Sequence, residues 1–278
     1  MPAPVSRRRA WLVGALVVVG GLAAGSTTAG LVTAALRDDE PATPPATSSA
    51  PPTPTAAGLA TPTATPTATA TPTPTPTPTF DLAAFSSTDP TSLWVVVNKQ
   101  HPLDPIRYEP TDLVAFDGAR VRAVVLPDLQ ALVDAARADG VVLGLRTAYR
   151  SYDQQAAIRA DVENRRGFAH AEKYSARPGY SEHQTGLSLD LSSTSRPSCD
   201  LQTCFADTEE GQWVAAHAGE YGFVVRYTEA NTAVTGFNPE GWHLRYVGRE
   251  LSAWMAANRV GSLEEALGVT GGPDYPVG

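Results

Sequence analysis

The sequence predicts an α+β domain in which helices pack on a mainly antiparallel sheet. Two observations carry this. Short stretches of strict apolar–polar alternation recur at 187–192, 223–227 and 242–246, and helical patterns separate them. The two kinds of element also mix without the regular strand–helix–strand repeat of a parallel sheet.

Domain limits come from composition. The chain has 278 residues and a formal net charge of −8. Residues 41–79 are nearly all Pro, Thr, Ala and Ser, and cannot bury enough apolar area to fold. Proline at that density makes an extended, semi-rigid spacer whose Thr–Pro repeats suit O-glycosylation. Before it, Arg7–Arg9 precede an uncharged run from Ala10 to Leu36, closed by Arg37 and the acidic 38–40. That run is long enough to span a membrane, and the leading positive charges keep the N-terminus inside. The expectation is an N-terminal anchor or signal segment over 1–37, a disordered linker over 38–80, and one folded domain over 81–278. The anchor is favoured over a leader cleaved near Gly25, and either exports the domain. The acidic balance, with no long basic run past the N-terminus, excludes nucleic acid as a partner. A monomer is expected.

Within the domain, 127–140 places Leu129, Leu132, Val133 and Ala136 on one helical face, with Pro127 near the start and Gly140 past the end. A strand follows over 141–150. Ser151 caps a second helix over 152–166, which Gly167 ends. Further helices are expected at about 208–220 and 249–258.

Strand parity gives the first functional clue, because successive side chains point to opposite faces. Leu187, Leu189 and Leu191 share one face, and Ser188 and Asp190 the other. Trp242, Leu244 and Tyr246 share one face, and His243 and Arg245 the other. Each strand thus keeps an apolar side for the core and puts a potential metal ligand on the opposite side. His183, Asp190 and His243 supply two imidazoles and a carboxylate, the three protein ligands of a catalytic zinc with one position left for water. Glu240, three residues before His243, is placed to take the proton of that water, whose pKa the metal lowers towards 7. Arg150 sits at a strand end, where it could face charge developing on a substrate oxygen. Taken singly each residue has a plainer use: a hydrogen-bonded His or Asp on a strand, a turn Glu, an Arg paired with Asp153. The combination is what points to chemistry.

The segments "VVNKQHPLDP", "LRTAYRSYDQQ", "SEHQTGLSLDL", "YGFVVRY" and "EGWHLRYVG" occur in the order found in the zinc D-alanyl-D-alanine carboxypeptidases, a family that includes VanY and related L,D-carboxypeptidases. The chain resembles that family from about Trp94 to Asn258. The resemblance implies a Hedgehog/DD-peptidase-like fold with Zn2+ on the sheet. It also implies ligands His183, Asp190 and His243, a catalytic base Glu240 and a transition-state cation Arg150. Ser181 and Gln184 would help bind the substrate's terminal residue. The implied activity is removal of the C-terminal D-alanine from peptidoglycan stem peptides, with L,D-carboxypeptidase or endopeptidase action as the rival within the class. A wall-binding module without turnover is the rival outside it, and an intact Glu240 argues against that. Two stretches depart from the family pattern. Gly241 stands where proline is usual, and 228–236 lacks the usual proline and lysine. His101, His170 and His217 match no ligand position. Cys199 and Cys204 are the only cysteines, and in an exported chain they are expected to close a short disulfide loop.

Overall fold

A computed structural model describes residues 80–276. The segments read above as anchor and linker lie outside the described residues, Phe80 excepted. Among the described residues no helix is long and apolar enough to cross a membrane.

The first elements form a small antiparallel hairpin, β1 (Leu113–Phe116) and β2 (Ala119–Arg122). Asp117 and Gly118 turn it, with φ of 45° and 77°. Both values are positive, as a two-residue turn matched to strand twist requires. Sequence alternation alone did not expose this pair, because each strand is four residues long.

Helix α1 (Leu126–Ala138) buries Leu129, Leu132 and Ala136 on the sheet, and Pro127 sits in its first turn. Strand β3 (Leu143–Thr147) follows, shorter than the sequence pattern at both ends. Helix α2 (Tyr152–Arg166) opens on a capping box. The Ser151 hydroxyl accepts the Gln154 N–H at 3.2 Å, and the Gln154 side chain accepts the Ser151 N–H at 2.9 Å. The buried residues of α2 are polar, Gln155 and Arg159, while Ile158 stays exposed. That inversion of the usual pattern marks a helix beside a groove. Helix α3 (Phe168–Tyr174) turns off it after Gly167.

The remaining strands are β4 (Ser188–Ser193), β5 (Phe223–Tyr227) and β6 (Glu240–Tyr246). With β3 they form one antiparallel sheet of order β3-β4-β6-β5. Helix α4 (Glu209–His217) continues into a 3-10 turn at Ala218–Tyr221, so the helix expected over 208–220 is really two pieces. A short α5 (Thr232–Thr235), then α6 (Arg249–Asn258) and α7 (Leu263–Leu267), complete the fold.

The sheet separates two environments. Leu187, Leu189, Leu191 and Leu244 join Leu129, Leu132, Phe205 and Val214 in the main core. Each such buried leucine contributes roughly 1.5–3 kcal/mol by leaving water. A second cluster of Trp94, Val96, Val247, Leu251, Met255 and Leu263 fastens the ends of the domain together. On the other face of β4 and β6 the strand register sets Asp190 opposite His243 and Ser188 opposite Arg245. The polar face anticipated from parity is therefore a single surface shared by two neighbouring strands.

Candidate metal-binding active site

His183 comes from a 3-10 turn, Glu182–Thr185, that runs into β4 through Gly186. Gly186 has φ of 68°, and a Cβ there would lie 3.0 Å from side-chain carbons of Arg122 and Leu113, so the close approach needs glycine. The turn brings His183 over β4. Its Nε2 lies 3.2 Å from Asp190 Oδ2, and His243 Nδ1 lies 2.8 Å from Asp190 Oδ1. One ligand atom from each of the three residues falls within 4.8 Å of the others, and all three side chains are buried.

The arrangement fits a zinc ion in donor set and in tautomer. His183 Nδ1 donates to the Ala148 carbonyl at 2.7 Å, which leaves Nε2 facing Asp190. His243 Nε2 donates to Glu182 Oε2 at 3.3 Å, which leaves Nδ1 facing Asp190. Metal-binding histidines are held in this way, by an acceptor on the far nitrogen. Burial, with the charge of Arg150, pushes the His183 imidazole down to about 4 and keeps it neutral, as a ligand must be. Burial opposes charge on His243 too, but hydrogen bonds to Asp190 and Glu182 outweigh it and raise that ring to about 9, so a metal would take Nδ1 by displacing the proton it shares with Asp190. Burial alone would raise Asp190, yet the two histidines hold it far below the usual carboxylate range.

Glu182 was not singled out from sequence, and it is the centre of the polar face. It is fully buried. Its Oε1 accepts from Arg226 Nε at 2.8 Å and Arg245 Nη1 at 2.9 Å, and its Oε2 from Ser188 and His243. Arg226 reaches on to Glu264 of α7, and Arg245 is held by the carbonyls of Leu93 and Val95. Desolvation would raise Glu182, but Arg226 and Arg245 keep it ionised well below its ordinary value. A signal existed. Each of "FVVRY" and "WHLRY" carries one arginine on an otherwise apolar strand, and a buried arginine needs a buried acid.

A cavity of about 480 Å³ opens over the cluster. Arg150, Ser181, His183, Asp190, Glu240 and His243 all line it. Burial pushes the Glu240 carboxyl up to about 7. Arg150 Nη1 stands 3.6 Å from Asp190 Oδ2, while its Nε has no hydrogen-bond partner. Tyr227 packs its ring 4.9 Å from that of His243. Gln155, another residue not singled out, donates Nε2 to the Ala176 carbonyl at 2.8 Å and leaves Oε1 unpaired on the cavity wall.

Gln184 stands apart from the other sequence-derived candidates. Its side chain points away from the cavity lining, and Nε2 donates to the carbonyls of Ile106 and Tyr108 at 2.9 and 3.0 Å. It anchors the 104–108 loop, because consecutive residues of a 3-10 turn face different directions. Cys199 and Cys204 are joined by a disulfide. Leu201, Gln202 and Thr203, inside that loop, form part of the cavity wall. Gly241 lies within β6, where an added Cβ would meet the Ala206 Cβ at 3.2 Å.

Residues 118–249 match the family described as VanY, D-alanyl-D-alanine carboxypeptidase. Putative carboxypeptidase YodJ of Bacillus subtilis (strain 168) is 37% identical over 187 residues, covering 64% of this chain and 67% of that protein. Among solved structures, the LdcB LD-carboxypeptidase superposes with a TM-score of 0.59 at 36% identity, over 65% of this chain and 88% of the other. A vancomycin-resistance D,D-pentapeptidase VanY variant from a VanB-type cassette, in complex with Zn(II), gives 0.54 at 31% identity, over 63% and 98%. The 37% identity to YodJ over 67% of that protein, together with the family match and the superpositions, shows that the chain belongs to the VanY carboxypeptidase family.

Proposed function

We propose that this chain is a zinc-dependent carboxypeptidase that removes the C-terminal D-alanine from peptidoglycan stem peptides. The observation that carries the reading is the donor set itself. Two imidazoles with assigned tautomers and one ionised carboxylate meet at the floor of a cavity that also holds Glu240 and Arg150. A zinc ion bound there supplies Lewis acidity to a water and to the scissile carbonyl. His183, Asp190 and His243 hold the ion. Glu240, lifted by burial towards neutrality, accepts a proton from the attacking water and passes it to the departing amine. Arg150 offers N–H donors to the oxygen on which negative charge grows. Ser181, buried on the same wall, is placed to touch the terminal residue.

The likeness to the LdcB LD-carboxypeptidase supports a second reading, cleavage of tetrapeptide stems after an L-centre. The location proposed is the outer face of the cell membrane. It rests on the positively flanked apolar run of 10–36 and the Pro/Thr spacer that follows.

Incubating the purified chain with defined penta- and tetrapeptide stems, and weighing the products, decides between the two specificities. D-Alanine release from the pentapeptide, abolished by chelation and restored by zinc, is expected. His183→Ala and His243→Ala should each lose the metal. Full zinc occupancy in both variants would overturn the ligand assignment.

A further inference from the structure

One face of α2 runs along the cavity, and its far end carries an arginine that the chemistry above does not use. Gln155, Ile158, Val162 and Arg166 all line the cavity. Their spacing of three, four and four residues makes one stripe along the helix. The stripe begins beside the metal ligands, since α2 starts two residues after Arg150. It ends at Arg166, eleven residues beyond Gln155, or about 16 Å along the axis at the usual helical rise. An extended peptide covers that span with about five residues.

We infer that Arg166 is a specificity residue that binds a carboxylate on the substrate three or four residues before its C-terminus. This rests on the carboxypeptidase reading above. A carboxypeptidase leaves one residue past the scissile bond, so a cleft of this length must hold residues that precede it. Three features favour an anionic group at the far end. Arg166 is permanently charged. Among the described residues it has no ion-pair partner, whereas Arg165 pairs with Asp161 and Arg159 pairs with Glu163 and Glu172. The middle of the stripe is apolar, Ile158 and Val162, so it suits the backbone and aliphatic part of a ligand but not its charge. Leu201, Gln202 and Thr203 of the disulfide loop line the same cavity and add uncharged wall to it.

The test uses the full chain and paired peptides ending in D-alanyl-D-alanine. Each pair differs only by a carboxylate or its carboxamide, placed three or four residues before the C-terminus. The expected result at low salt is a kcat/KM about fivefold higher for the acid than for the amide at one of these positions, the upper end for an exposed charge pair. The preference should shrink as salt rises. Arg166→Gln should bring the acid-to-amide ratio near one, and Arg166→Glu should invert it. Arg165→Ala, a change to the neighbouring paired arginine, should keep the wild-type ratio. A wild-type ratio of one at every position, or a preference that survives Arg166→Gln, overturns the assignment. Failure of the underlying reading looks different: the unaltered chain would then release no D-alanine from any peptide. Calorimetric binding of the same acid and amide pairs would still report the ratio that Arg166 controls.

Discussion

Glu240 and Glu182 are both carboxylates on the same polar face, and their surroundings assign them opposite tasks. Glu240 lines the cavity, and burial without a hydrogen-bonded cation lifts it to about 7, where a group can both take and return a proton. Glu182 lies beneath His243 and is locked in ionised form by two arginines. Glu240→Gln keeps the size of the side chain but cannot act as the base. Turnover should fall by about two to four orders of magnitude. Zinc content should stay near wild type, because the ligands are elsewhere. A variant that holds zinc and still releases D-alanine at the wild-type rate would sink the mechanism. Glu182→Gln should act on stability instead. It leaves Arg226 and Arg245 buried with one fewer compensating charge, and breaking such a pair costs about 3–5 kcal/mol. Denaturant titration of the two proteins checks this, and indistinguishable midpoints would count against it.

At the scale of elements, one carboxylate organises the wall of the cavity that carries the disulfide. Glu210, in the first turn of α4, is buried. It accepts five hydrogen bonds: from the Ser193 hydroxyl, the N–H and hydroxyl of Thr194, and the N–H and hydroxyl of Ser195. Burial pushes its pKa up, but these donors outweigh it and bring the group from 4.5 down to about 2. A carboxylate depressed in the folded state stabilises fully above its unfolded pKa, and that contribution disappears as pH falls through the folded value. The shift corresponds to about 3 kcal/mol. Glu210→Gln should therefore lower the melting temperature by about 6–12 °C at neutral pH, given the usual 2–4 °C per kcal/mol at this size. The gap should narrow as pH drops from about 4.5 towards 2, where the wild-type residue is itself protonated. A gap independent of pH would show that the ionised form is not what holds the loop.

For the molecule as a whole, the polar face of the sheet is closed from behind by both ends of the domain. Arg245 donates to the Leu93 and Val95 carbonyls, Arg226 binds Glu264, and Asn98 donates to Glu264 at 3.0 Å. Phe80 stacks on Trp254 with ring centroids 5.8 Å apart. The domain thus needs residues on both sides of the 118–249 family match. A chain that starts at Phe80 should be folded and should turn over substrate like the full chain, since residues 1–79 have no core-forming pattern. A chain trimmed to 118–249 should not fold, because it lacks the Glu264 that binds Arg226 and the Leu93 and Val95 carbonyls that hold Arg245. Circular dichroism and peptide turnover on the three lengths test both statements.

What the sequence determined by itself was local. The placing of Asp190 beside His243 was legible because two alternating strands declare which side chains share a face, and that parity survives folding, whereas His183, on a turn, was marked only by its spacing and the family resemblance. The helix cap at Ser151 and the run of α1 were legible too, as they depend on neighbours three or four residues away. The tertiary structure alone decided three further matters. It placed Gln184 behind the site, since the facing of a 3-10 turn follows from what packs against it. It turned α2's weak apolar stripe outward to line a cleft. It also joined Glu182 to Arg226, 44 positions along the chain, and Arg226 in turn to Glu264, 38 positions further. No local pattern encodes such pairs. They form because a buried charge must find its opposite, and only the folded chain determines which one is within reach.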